Sequence, residues 1–449
     1  MARPKQFHDP ELSIWQSAVE EVTARRAAGT QTEAVGKAAV VSGRGETLDA
    51  MTAEATGYCL AVDSGQTLAD SAAGHVATEG LVQTAGFCSL TALKLAKAII
   101  LGNHADAQRY KEELAKFGDC DPGYAEAAAK YAEYFIAQQK QIPYIVYKDL
   151  GDFVIDDGGK TVPAKSTVAV VGDWGTGQDA AKLVLRQIAN KKPDVVVHLG
   201  DIYYSGTDFE VSNYFLKPWQ QILNLPASGI TSFTLAGNHD MYSGGVPYYN
   251  LLKTLNQPAS YFCLRNANWQ FIALDTGYQD HNPTGGGTGA TFLQDTEVRW
   301  LADKVNNAGG RRTILFSHHQ LFTAFDSING QAINVRLYPQ VSSILPQVTL
   351  WMWGHEHNFV VYDACQGLAR SCCLGHGAFP VGIDELATQP KFRDVPVVKG
   401  DDGDFLRMGT TGGLYNHGYA IIELDGASGR VSYYQDSDED TPMYQQSLT

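Results

Sequence analysis

The chain is short of positive charge and of long apolar runs, and its cysteines are few and scattered. Lys and Arg number 34 against 49 Asp and Glu, a formal net charge of -15. Non-specific nucleic-acid binding depends on cations neutralising phosphates, so no nucleic-acid partner is expected. A small phosphorylated substrate remains compatible, because bound cations reverse the field locally. No run of about 20 apolar residues exists, so no membrane span is expected. The longest candidate, Ala92 to Leu101, carries Lys94 and Lys97. The first ten residues, Met1 to Pro10, lack an apolar leader core, so the expected location is the cytoplasm, or outside the cell if a leader has been trimmed. The cysteines (Cys59, Cys88, Cys120, Cys263, Cys365, Cys372 and Cys373) are odd in number and form no CxxC pair. They read mostly as buried thiols of a reducing compartment, with the Cys372-Cys373 neighbours as a redox-active alternative.

What is present is ample apolar mass, 44% of 449 residues, enough for one large or two ordinary domains. Residues 1–150 are rich in Ala, Glu, Lys and Gln. Thr91 to Leu101, Ala105 to Phe117 and Glu126 to Gln139 have helical spacing, which predicts a helical N-terminal region of unknown role. The triplet Gly102-Asn103-His104 follows one of these helices and reads as helix punctuation. Punctuation at Asp156 to Gly159 and Pro163 sets a boundary, and a second domain is expected over residues 160–449. There the pattern alternates. Strands are expected at Thr167–Val171, Val195–Leu199, Ser232–Leu235, Phe271–Leu274, Thr313–Phe316, Thr349–Trp353, Ala420–Leu424 and Val431–Tyr434. Helices are expected at Gln178–Asn190, Phe209–Leu223 and Leu293–Asn307. Alternation of this kind implies an α/β core with a buried sheet and ligands at the carboxyl ends of strands. Gln279 to Ala290 and Gly382 to Gly413 read as long loops, either binding elements or surface excursions.

Five motifs sit at those strand ends: Gly172-Asp173-Trp174-Gly175, Gly200-Asp201-Ile202-Tyr203-Tyr204, Gly237-Asn238-His239-Asp240, Ser317-His318-His319 and Gly354-His355-Glu356-His357. Asp173, Asp201, Tyr204, Asn238, His318, His355 and His357 form the inventory of a two-metal centre, the usual apparatus for phosphate-ester hydrolysis. His355 and His357 alternate, so in extended chain they share a face. A carboxylate such as Asp201 can bridge two cations about 3.5–4 Å apart. Tyr204 reads as a hard phenolate donor suited to a trivalent ion, or else as an aromatic packing beside the loop, a reading that also fits Tyr203. Asn238 and His239 cannot both readily reach one ion. Asn238 is assigned to the metal, which leaves His239 to orient phosphate or protonate the leaving group, with Asp240 available to orient His239. Of His318 and His319, which point to opposite faces, His318 is assigned to the metal and His319 to a supporting or substrate-facing role.

These residues resemble the calcineurin-like metallophosphoesterase superfamily, and more narrowly its purple acid phosphatase type, over roughly residues 165–435. The pattern of that type is GDxG, GDxxY, GNH(D/E), VxxH and GHxH, and the order here agrees. Gly175 stands where the wider superfamily has a histidine, and Tyr204 stands at the purple type's ligand position. Leu315 replaces valine in the fourth motif. The resemblance implies a four-layer α/β/β/α sandwich of two mixed sheets. It implies Fe(III) held by Asp173, Tyr204, His357 and bridging Asp201, and Fe(II), Zn(II) or Mn(II) held by Asp201, Asn238, His318 and His355. It also implies a metal-bound hydroxide as nucleophile. A phosphomonoesterase is the expected activity. A diesterase acting on nucleotides or lipid head groups is the alternative, and a scaffold on a degenerate site is disfavoured because every ligand type is present.

Overall fold

The computed structural model describes residues 140–203, 205–281, 290–383, 385–400 and 402–449. The helices expected before residue 140, and Tyr204, lie outside the described residues. One compact unit comprises Ile142–Met241, Gly245–Asn282 and Thr288–Thr449, so it begins ahead of the expected boundary at residue 160. The punctuation near that boundary is a turn, in which the Asp157 carboxylate accepts from the backbone N–H groups of Lys160 and Thr161.

In chain order the regular elements are β1 (Val154–Ile155), β2 (Lys165–Val171), α1 (Asp179–Asn190), β3 (Val195–His198), α2 (Asp208–Glu210), α3 (Lys217–Ile222), β4 (Thr231–Thr234), α4 (Asn238–Met241), α5 (Val246–Thr254), β5 (Phe262–Arg265), β6 (Trp269–Ala273) and α6 (Asp295–Asn306). They continue with β7 (Arg312–Phe316), α7 (Tyr338–Val341), β8 (Val348–Trp353), β9 (Phe359–Tyr362), β10 (Ser371–Leu374), β11 (Thr410–Thr411), β12 (Leu414–Tyr415), β13 (Gly418–Asp425), β14 (Ser428–Gln435) and β15 (Tyr444–Ser447). A π-helical stretch, Val211–Leu216, joins α2 to α3. Pro218 supplies no N–H to the turn before it, which accounts for the widened geometry there. Thr207 and Glu210 cap this segment reciprocally.

The main strands form two mixed sheets, ordered β1-β5-β6-β7-β8-β10-β9 and β15-β14-β13-β2-β3-β4. Strands β2, β3 and β4 run parallel, as do β6, β7, β8 and β10. The period of two explains the layering. Along β2, Val168 and Val170 face a core shared with Phe271, Phe316 and Met352 of the other sheet. Ala169 and Val171 face the opposite way, against Val184, Leu185 and Ile188 of α1. On the far side, Ile272, Leu315 and Trp351 pack under Trp300, Leu301 and Val305 of α6. Three apolar interfaces therefore separate four layers, the α/β/β/α sandwich that the resemblance implies. Among the described residues no helix is long and apolar enough to cross a membrane.

The four described cysteines are buried and free. Cys372 joins the core between the sheets and Cys373 the core beneath α6, because neighbours on a strand face opposite ways. The two thiols therefore cannot pair, and the redox-active alternative falls away. Burial pushes the Cys372 thiol up to about 12, and the Cys373 thiol also stands well above its usual value.

Helix α6 reaches the loop after β6 through an acid. Glu297 accepts from the Asp275 N–H at 2.8 Å and from the Tyr144 hydroxyl at 2.8 Å. Burial, reinforced by Asp275, drives the Glu297 carboxyl well above its usual range, and burial pushes Asp275 up to about 6. Acids raised in this way bind more protons folded than unfolded, so stability falls as pH rises through the folded values. Glu297→Gln should therefore raise the urea midpoint near pH ~8 and change it little near pH ~4. Equal losses at both would show that the acid itself is required for packing.

Candidate metal centre

The centre is built where the carboxyl ends of β2, β3, β4, β7 and β8 meet. Each ligand lies two to four residues beyond its strand, where the chain leaves the ladder and can turn inward. Three of them, Asp173 (φ 55), Asp201 (φ 75) and His355 (φ 69), adopt the left-handed conformation. A position of this kind costs about 1–3 kcal/mol for a residue with a side chain, and persists only where its surroundings enforce it. Glycines make the turns close enough. A Cβ on Gly237 would sit 2.0 Å from Asp201 Oδ1, and one on Gly354 would sit 2.3 Å from Asp173 Oδ2.

Two groups of donors result. In one, His318 Nε2 lies 3.0 Å from Asn238 Oδ1, His355 Nδ1 lies 3.1 Å from the same oxygen, and the two nitrogens are 3.3 Å apart. In the other, His357 Nε2 lies 3.4 Å from Asp173 Oδ1. Asp201 Oδ2 stands 3.3 Å from His318 Nε2, which ties the bridging candidate to the first group. Metal bonds of about 2.0–2.1 Å place neighbouring donors about 2.8 Å apart in an octahedron and about 3.4 Å apart in a tetrahedron. The observed separations fall in that interval, so the residues fit bound metal ions. His318, His319 and His355 form one candidate ligand cluster, and Asp173, Asp201 and His318 another.

Hydrogen bonds explain several roles. His318 Nδ1 lies 3.0 Å from the Leu199 carbonyl, which can only accept. Nδ1 therefore carries a proton, and Nε2 faces the group, where its own proton would give way to a cation. Burial would lower the His318 pKa, yet the Asp201 carboxylate prevails and raises it to about 9. Burial likewise opposes ionisation of Asp201, but His318 and His239 hold it low. The cluster thus favours positive charge between its acids. His357 is stacked on Phe379 at 4.0 Å between ring centres.

The remaining expected residues divide. His239 places its backbone N–H 3.1 Å from Asp201 Oδ1 and its Nε2 3.8 Å from Asp201 Oδ2, beside the bridge. His319 is engaged at both nitrogens, by Thr276 Oγ1 and Asp280 Oδ2, each at 3.1 Å. Its ring lies 4.3 Å from that of His355, so it braces a ligand from outside the donor groups. Asp240 ties two motifs together. Its carboxylate accepts the backbone N–H groups of Gly237, Asp201 and Ile202, pinning the second motif to the third. Burial pushes its pKa up to about 8, and Asp201 adds to this against the backbone donors of Gly237 and Asp201.

Two residues were missed and a third was read differently. Thr276 and Asp280 belong to an unremarkable loop, and only the position of Asp280 inside the long Gln279 to Ala290 excursion marks it. Tyr203, read as packing, points its hydroxyl into the Asp173–His357 group, 2.8 Å from Asp173 Oδ1 and 2.8 Å from His357 Nε2. Burial, then Asp173 and Asp201, keep its phenol protonated without a cation, well above the usual tyrosine value.

A strand-end centre of carboxylate, amide and imidazole donors on an α/β/β/α sandwich defines a metal-dependent phosphoesterase class. Residues 166–359 match the model of the calcineurin-like phosphoesterase family. Among curated proteins none matches the chain. Similar solved structures include GAP50, the anchor in the inner membrane complex of Plasmodium, with 13% identity, a TM-score of 0.43, and coverage of 63% of this chain and 88% of that one. A dimetal phosphatase from Danio rerio shows 13% identity, a TM-score of 0.40, and coverage of 63% and 98%. PhoD shows 12% identity, a TM-score of 0.40, and coverage of 64% and 72%.

Gly237→Ala tests the packing of the centre. Its methyl collides with the Asp201 carboxylate, so metal per chain, measured by elemental analysis, should fall roughly 10–100-fold with far-UV dichroism unchanged. Full metal content would show that the bridge has room to move.

Proposed function

We propose that this chain is a dinuclear-metal phosphoric ester hydrolase, a phosphomonoesterase of the purple acid phosphatase type. The observation that carries this reading is the convergence of Asp173, Asp201, Asn238, His318, His355 and His357 at donor separations of 3.0–3.4 Å. The two groups differ in hardness. Carboxylate with phenol favours Fe(III), whereas an amide oxygen with two imidazoles suits Fe(II), Zn(II) or Mn(II). Such cations supply Lewis acidity and a water of lowered pKa when bound.

The chain's own residues do the rest. Asp201 joins the groups, and His355, only partly buried, leaves the second one open toward solvent. His239, beside Asp201, is placed to protonate the departing ester oxygen. His319, fixed by Thr276 and Asp280, keeps the His355 ring in place. The substrate class we infer is a small phosphorylated molecule, in keeping with a net charge of -15 and a positive field confined to the centre.

Turnover of p-nitrophenyl phosphate and of its bis ester tests the reading. The monoester should be hydrolysed faster. Asn238→Ala should cost more than the roughly 10–100-fold that loss of an outer partner costs. Turnover of the diester alone would sink the monoesterase reading, and an unimpaired Asn238→Ala variant would sink the site.

A further inference from the structure

We propose that Tyr203, and not Tyr204, is the phenolate ligand of the Asp173–His357 group, and that Gly175 is the residue that admits it. This rests on the purple-type reading, since it asks which residue supplies that phenolate.

Tyr203 Oη, Asp173 Oδ1 and His357 Nε2 form a triangle with edges of 2.8, 2.8 and 3.4 Å. These edges equal the spacing of three donors around one ion, derived above. The ring is completely buried and lies against His239, His357 and Phe379 at 4.8, 5.7 and 5.0 Å, so the hydroxyl has one direction to point. The corner between Asp173 and His357 already holds this oxygen. Tyr204 lies outside the described residues, and the geometry at Tyr203 carries the assignment alone.

The backbone explains why residue 203 arrives there. Gly175 and Ile202 form a parallel bridge. The Gly175 N–H donates to the Asp201 carbonyl at 3.3 Å, and the Tyr203 N–H donates to the Gly175 carbonyl at 2.9 Å. The second motif is thereby laid along the first. A Cβ at residue 175 would sit 2.7 Å from both the Asp201 carbonyl oxygen and Ile202 Cα, both backbone atoms. Any side chain at 175 would push the segment away and withdraw the phenol. The bare Gly175 and the inserted Tyr203 are therefore two halves of one arrangement. Toward a ferric ion held there, Tyr203 would release its hydroxyl proton to solvent and offer the phenolate oxygen as a donor.

The test uses the full chain and its Tyr203→Phe, Tyr204→Phe and Gly175→Ala variants, loaded with iron and oxidised. Iron per chain, far-UV dichroism and the visible phenolate-to-ferric charge-transfer band are measured. Wild type and Tyr204→Phe should keep the band within twofold per bound iron. Tyr203→Phe should lose it more than tenfold, and Gly175→Ala should bleach as well. A bleached Tyr204→Phe beside a coloured Tyr203→Phe would overturn the assignment while leaving the purple-type reading intact. Iron-loaded wild type without the band would overturn both. If Tyr203→Phe does not fold, the Tyr204→Phe spectrum decides: colour retained supports Tyr203, and colour lost excludes it.

Discussion

Two carboxylates buried side by side set the terms for the rest of the molecule. Asp173 and Asp201 are 0% and 1% exposed, and neither lies beside a Lys or Arg ion partner among the described residues. Charges withdrawn from water in this way are sustained only by opposite charge and by hydrogen bonds that favour the ionised form. The chain provides histidines at 3.3–3.4 Å instead, and these are good metal ligands but weak permanent counter-ions. The position is tolerable when cations supply the missing charge. Cations held there would invert the local field from acidic to positive, the sign that suits a phosphoryl group.

The frame that holds those acids is made of backbone. Asp240 collects three N–H groups from two motifs, and His318 is anchored on the Leu199 carbonyl. Ser317 accepts from the Trp351 indole and donates to the His319 carbonyl, which joins the β7 end to the core beneath α6. The ligands are thus set by partners that do not themselves touch a metal. Left-handed strain at three of them is carried by the packing of both sheets.

How far the sequence reveals this depends on what each feature needs. Val195–His198 and Val348–Trp353 are legible as strands because nearly every position is apolar and buried between layers. Asp173, Asp201, Asn238, His318, His355 and His357 are legible as a set because each follows such a run, and topology brings parallel strand ends together. Strand β10, Ser-Cys-Cys-Leu, is too short and too mixed in composition to stand out. The part played by Asp240 depends on N–H groups from a different motif. The choice between Tyr203 and Tyr204 turns on a bridge between Gly175 and Ile202, a tertiary contact with no local signature. Asp280 reaches His319 only because the β6 and β7 loops adjoin.

The left-handed conformation at positions 173 and 201 has a consequence for redesign. Asparagine and aspartate are the residues with side chains that best tolerate that region. Swapping one for the other leaves the backbone at ease while removing a unit of charge. The electrostatic character of the centre is therefore separable from its shape. Its preference among ions of different valence becomes a property to be tuned by single-atom exchanges, with the scaffold untouched.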